Sequence, residues 1–187
     1  SCAPVAPTDA AQAVALAAAA RGRVTVEASA DPDAEALADA VRTQLRATRP
    51  GGSGETVIYA GSDPEDAIGV VDGVLDEQPR ARVLLPEALT RADTLRARFA
   101  DEPRVRFVSS APPRDPEFEA AFREAYDRPP QTDYARVGYD AMKGVLAALD
   151  KAGEDAGKRQ SVIDAYFSTD PLGRTAQQPF RLVRFEG

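Results

Sequence analysis

Short β-branched runs that alternate with amphipathic helical stretches are what most limits the folds open to this chain. RVTVEAS (Arg23 to Ser29), TVIYAG (Thr56 to Gly61), ARVLLP (Ala81 to Pro86) and RVRFVSS (Arg104 to Ser110) each have the length and composition of one strand. An Ala-rich helix, Ala10 to Arg21, precedes the first run, and Gly22 ends it. Asp33 to Thr48 follows, with Leu37, Val41 and Leu45 recurring every four residues on one face. RPGGSGE (Arg49 to Glu55) reads as a loop. SDPEDA starts the next helix. Ser62 or Asp63 can cap it, Pro64 suits its first turn, and Ala67, Ile68, Val71, Val74 and Leu75 form its apolar stripe. Thr90 to Ala100 is predicted as a further helix. Glu117 to Tyr126 carries Phe118 and Phe122 one turn apart, and Tyr134 to Lys151 is a long helix. Asp155 to Phe167 is predicted as the last helix. PFRLVRFEG closes as a strand with Phe180 and Leu182 inward and Val183 as a further inward candidate.

Strands alternating with helices predict a three-layer α/β sandwich with a mostly parallel sheet, right-handed crossovers and helices on both faces. In such sheets ligands gather beyond the carboxyl ends of the strands. Here those ends are Ser29–Ala30, Gly61–Ser62, Pro86–Glu87 and Ser109–Ser110. No low-complexity linker interrupts the pattern, so residues 9–187 are expected as a single lobe. Residues 1–8 are expected as an N-terminal segment, either a lipoprotein leader remnant or a truncated first strand.

Composition removes several kinds of chemistry. A net charge of −7 argues against a nucleic-acid or anionic-membrane partner. The absence of histidine removes the commonest general base and metal ligand. Cys2 is the only cysteine, so no internal disulfide forms. Ser1-Cys2 followed by APVAPT reads two ways: Cys2 as a lipid attachment point after signal removal, or a fragment boundary. No GxxxxGK[ST], GxGxxG or GxSxG motif is present, and GGSG (Gly51 to Gly54) lies between helix and strand, the wrong order for a phosphate cradle. Serines 62, 109 and 110 lie at strand ends with no histidine to activate them. The acidic pairs fall mostly at helix starts, where they complement the dipole, and no EF-hand spacing supports a metal. Glu87 differs, because it directly follows a strand at its carboxyl end. It reads either as an acid that meets a ligand's amino group or as an exposed loop glutamate. No catalytic group and no cofactor are expected. A binding module needs only a shaped pocket with a few polar anchors.

The order of motifs resembles type I periplasmic binding proteins, the branched-chain amino-acid receptors of ABC transporters, over their second lobe and C-terminal part. The most specific stretch is DPEFEAAFREAYDRPPQTDYARVGYDAMKGVLAALDKAG: a helix ending in an aromatic, a Pro-Pro loop, then Tyr-Ala-x-x-Gly-Tyr-Asp-Ala. TVIYAGSDPEDAIGVVDGV, ARVLLPEAL and PFRLVRFEG are similar to other family segments, though as patterns they are common in α/β proteins. The resemblance implies a non-catalytic, extracytoplasmic solute-binding domain for amino acids or similar small molecules. It implies ligand contacts at Ser62, Glu87 and Tyr134. The family's first lobe has no counterpart here, and Ala11 and Gln12 stand where the family carries a ligand-covering tyrosine. Three readings follow: a reduced, receptor-like lobe, such as a surface lipoprotein, that binds a ligand or acts as a protein-interaction or sensory module; a fragment of a full receptor; or a different α/β protein, such as a flavodoxin-like enzyme. Without a first lobe, the helix from Tyr134 is expected to expose Val137, Met142, Val145 and Leu149 to a homodimer mate or partner protein.

Overall fold

The computed structural model describes residues 8–111, 114–132, 135–169 and 180–184. Its elements follow the predicted order: α1 (Asp9–Ala19), β1 (Arg23–Glu27), α2 (Pro32–Thr48), β2 (Glu55–Tyr59), α3 (Pro64–Glu77), β3 (Ala81–Leu85), α4 (Asp93–Phe99), β4 (Val105–Ser109), α5 (Pro116–Tyr126), α6 (Ala135–Ala152), α7 (Arg159–Thr169) and β5 (Arg181–Val183). Three helices begin at the same Asp-Pro signature. Asp31, Asp63 and Asp115 each accept first-turn N–H groups, and the following proline needs no donor there. The predicted helix Thr90 to Ala100 is instead a 3₁₀ turn, Glu87–Arg91, followed by the short α4. Ala92 at the junction is extended, which separates the two.

The chain forms two compact units. One comprises Thr8–Ser110 with Pro179–Gly187, and the other is built on Ala111–Gln178. The first is a three-layer α/β sandwich. Its five strands lie in the order β1-β2-β3-β4-β5, parallel except for the antiparallel β5. Side chains alternate across the sheet. Ile58, Leu84 and Val108 pack under α1 and α2 on one face, and Val57, Tyr59, Val83, Leu85 and Phe107 pack under α3 and α4 on the other.

This arrangement corrects one expectation. The strands follow one another in sequential order, so each crossover moves the same way across the sheet, yet α2 lies on one face and α3 and α4 lie on the other. Crossovers in one direction on opposite faces must differ in hand. The β1–α2–β2 unit is therefore of opposite hand to β2–α3–β3 and β3–α4–β4, against the uniform right-handedness expected. Leu182 also departs from the reading, since it is exposed on the last strand, whereas Phe180 and Val183 pack against opposite core clusters.

The second unit is helical, and α6 and α7 pack along each other. Phe118 on α5 stacks obliquely on Phe122 and on Tyr139 of α6, with ring centroids 5.8 and 5.3 Å apart. Arg136 joins α6 to α5 through Asp115 and also pairs with Asp140 at 2.9 Å. Gly144 and Ala148 form the close-packed side of α6.

Candidate functional site

The carboxyl ends of β2, β3 and β4 form the predicted ligand edge of the sheet unit. Glu87 follows β3 and opens the 3₁₀ turn. It is half-buried and engaged with its surroundings. Its Oε1 accepts from the Ser110 backbone N–H at 2.5 Å and from the Ser110 hydroxyl at 2.6 Å. Its own N–H donates to the Gln12 side-chain oxygen at 2.7 Å. Gln12 projects from α1 and is buried, as is Ser110. The acid thus ties the end of β3 to the end of β4 and to α1. Its carbonyl accepts the Thr90 hydroxyl at 2.7 Å, which tightens the turn.

Ser62 lies beyond the end of β2, the strand adjacent to β3, and is exposed. Asp63, rather than Ser62, caps α3, accepting from Glu65 N–H at 2.7 Å and Asp66 N–H at 3.1 Å. Ser62 therefore stands outside the capping network, at the mouth of this edge. Tyr134 lies outside the described residues, as does Cys2.

Sequence reading missed Tyr59. Its ring is fully buried on the α3 side of the sheet, and its hydroxyl finds no hydrogen-bond partner among the described residues. Burial pushes its pKa above the ordinary 10.0; the Ser29 side chain approaches and offsets part of this without reaching hydrogen-bonding geometry, and Asp66 and Asp63 add to the rise. A Cβ on Gly61 would overlap the outer end of the Tyr59 ring, so any larger residue there requires the ring to shift. The sequence signal was a tyrosine directly after the aliphatic pair Val57–Ile58 at the end of a strand.

The Tyr59→Phe variant is expected to be as stable as the parent at pH 7, because it removes an unsatisfied buried group. The sign at high pH follows from the raised pKa. Above pH 10.0 the unfolded phenol loses its proton while the folded one keeps it, so the parent loses stability as pH rises. The variant should then be the more stable of the two above about pH 10. Thermal denaturation at both pH values checks this; equal alkaline sensitivity of the two proteins would count against it.

A concavity lies away from this edge, toward the amino-terminal end of the strands. It is an open depression of about 660 Å³ lined by Arg82, Arg104, Arg106 and Arg184 with Leu84 and Leu182. Glu102 already holds Arg104 at 2.9 Å, and that guanidinium keeps the Glu102 carboxyl below its ordinary range. Among the described residues, no group of three or more His, Cys, Asp or Glu is placed to hold a metal, and no helix is long and apolar enough to cross a membrane.

On α6, Met142, Val145 and Leu149 are exposed together with Tyr139 and Leu146, whereas Val137 is half-buried. The exposed stripe of Tyr139, Met142, Leu146 and Leu149 recurs at alternating three- and four-residue spacing.

No protein-family model matches the chain, and no curated protein matches it. Solved structures do. An ABC transporter substrate-binding protein from Desulfitobacterium hafniense in complex with Leu aligns over 83% of this chain and 53% of its own, at 20% identity and a TM-score of 0.57. An ABC transporter substrate-binding protein from the same organism aligns over 84% of this chain and 55% of its own, at 19% identity and a TM-score of 0.60. The fold is that of these binding proteins, and the chain spans about half of their length.

Proposed function

We propose that this chain is a non-catalytic binding domain for an amino acid or a similar small molecule, acting in solute capture outside the cytoplasm. The observation that carries the reading is the likeness to substrate-binding proteins, one of them in complex with Leu, combined with a half-buried acid at the ligand edge of the sheet. A carboxylate accepts up to about four hydrogen bonds, so holding Ser110 is compatible with meeting a ligand ammonium. In this reading Glu87 receives the ammonium, Ser62 borders the ligand, Tyr134 lines the cleft, and Cys2 is the lipid attachment point.

The test is thermal stabilisation by leucine and a panel of amino acids. A ligand at a hundred times its Kd should add about 2.7 kcal/mol of stability. Glu87→Gln is the discriminating variant. It keeps an acceptor for Ser110 and removes the charge, so the fold should persist while the ligand shift disappears. Absence of any shift across the panel in the parent protein would sink the reading. An undiminished shift in the variant would remove Glu87 from it.

A second reading rests on the exposed stripe of α6: this helix binds a partner protein. Val145→Asp should abolish that association without unfolding the chain, because Val145 is exposed.

A further inference from the structure

β1 is an edge strand with a pattern that fits a second copy of itself. Its inner side pairs with β2 in register from Arg23↔Glu55 to Glu27↔Tyr59. The directions of its backbone groups follow from two bonds. Arg23 N–H donates to Gly54 O at 3.0 Å, and Glu27 O accepts from Ala60 N–H at 2.8 Å. Backbone groups alternate in direction along a strand, so Arg23, Thr25 and Glu27 point theirs toward β2. Val24 and Val26 point theirs outward, away from the sheet. Among the described residues no strand lies on that side. On that side an Arg42 guanidinium nitrogen stands 3.4 Å from Val26 O, a long contact, and Arg42 is held more closely by Asp39 at 2.9 Å.

The strand reads Arg-Val-Thr-Val-Glu. An antiparallel pairing of two copies centred on Thr25 sets Thr25 opposite Thr25, Val24 opposite Val26, and Arg23 opposite Glu27. Directly opposed residues in an antiparallel pair share a face, and opposite charges, threonine pairs and β-branched pairs all favour pairing. The same register makes each Val24–Val26 set a hydrogen-bonded pair. Every outward N–H and C=O of β1 then finds a partner, through four bonds across the two-fold axis. The Arg23–Glu27 and Thr25 sets fall at the non-hydrogen-bonded positions, where side chains approach most closely. Arg23, Thr25 and Glu27 are all exposed, on the side of β1 away from the α1–α2 core, so they are available for this contact. A strand displaced by one residue would set Val24 against Glu27 and lose the match.

We propose that two copies of this chain associate through antiparallel pairing of their β1 edges, forming one continuous sheet with twofold symmetry. The partner is a second copy, because the charge order of the strand complements its own reverse. The interface is small, so the expected Kd is on the order of 10–100 µM.

Sedimentation equilibrium over a concentration series tests this with the full chain. The parent should be a reversible dimer. R23E sets the introduced glutamate against the partner's Glu27, and E27R sets the introduced arginine against the partner's Arg23. Each should raise Kd about tenfold or more. Arg23 also pairs with Glu55 across the β1–β2 ladder, so E27R, which spares that pair, is the cleaner variant. A mixture of R23E and E27R should associate like the parent, because both cross-axis pairs become complementary again. The double variant R23E/E27R should do so on its own. Both positions are exposed, so each variant should fold, which circular dichroism checks. Hydrogen exchange adds a backbone readout, in which the Val24 and Val26 amides become protected as concentration rises. A parent that stays monomeric at about 300 µM overturns the proposal, whether these amides are open or are protected by another part of the chain. A dimer that E27R leaves intact and Val145→Asp abolishes overturns it in favour of the α6 face.

Discussion

Gly22→Ala is expected to lower the stability of the sheet unit by about 3 kcal/mol, a large effect for adding one methyl group. Two causes act together. Gly22 has φ +64°, in the left-handed region, where a Cβ alone costs about 1 kcal/mol. That Cβ would also overlap the carbonyl oxygen, carbon and nitrogen of Gly54, which are backbone atoms and cannot rotate away. Relief requires the 51–54 loop to move. That loop accepts the Gly22 N–H at Gly51 O (3.3 Å) and the Arg23 N–H at Gly54 O (3.0 Å), the bonds that start the β1–β2 ladder. Nearby glycines serve as internal controls. Gly51 has open space around its Cα and no positive φ, so Gly51→Ala should change stability by less than about 0.5 kcal/mol. Gly52 has φ +93° but meets only the Arg21 side chain at 3.9 Å, so its alanine variant should show the strain without the overlap. Urea denaturation of the three variants gives the ranking. Equal effects at positions 22 and 52 would mean that the loop yields freely and that packing contributes nothing.

Glu87→Ala is expected to cost about 2–3 kcal/mol in the same measurement. The carboxylate accepts both the N–H and the hydroxyl of Ser110, a buried residue at the end of β4. Hydrogen bonds to a charged acceptor are stronger than neutral ones, and truncation strands the Ser110 N–H away from water. Glu87→Gln should cost under about 1 kcal/mol, because one acceptor oxygen remains for Ser110. Ser110→Ala should fall between, since it removes the hydroxyl and spares the backbone bond. A Glu87→Ala variant as stable as the parent would show that the carboxylate does not tie the two strand ends together. This variant is also why ligand binding is better tested with glutamine, since alanine would confound a lost ligand contact with a loosened edge.

The two classes of prediction differ in how far the sequence reaches. The Asp63-Pro64 start of α3 is legible because a cap is a local event, made by a side chain and N–H groups two or three residues away, whereas α2 and α5 begin with the same Asp-Pro pair one residue before the starts read from the sequence. β2, β3 and β4 are legible because strands buried on both faces read as short, mostly apolar runs, here Val57 to Tyr59, Val83 to Leu85 and Phe107–Val108, broken only toward their starts by Thr56, Arg82 and Arg106. The carboxyl-end position of Glu87 follows from the same pattern. Its attachment to Gln12, 75 positions away, and to Ser110 does not, since no periodicity records which polar groups meet across a sheet.

By itself the sequence determined the alternation of strands and helices, the capped start of α3 and the apolar faces that make an α/β sandwich, because those depend on neighbours within a turn or a strand. Tertiary structure alone decided the antiparallel β5, the odd hand of the β1–α2–β2 crossover and the buried Tyr59 hydroxyl, unpaired among the described residues. It also decided that β1 ends the described sheet with its outward backbone groups presented at the edge. These depend on which segments pack side by side, and that is fixed by the burial of the whole core rather than by any local preference.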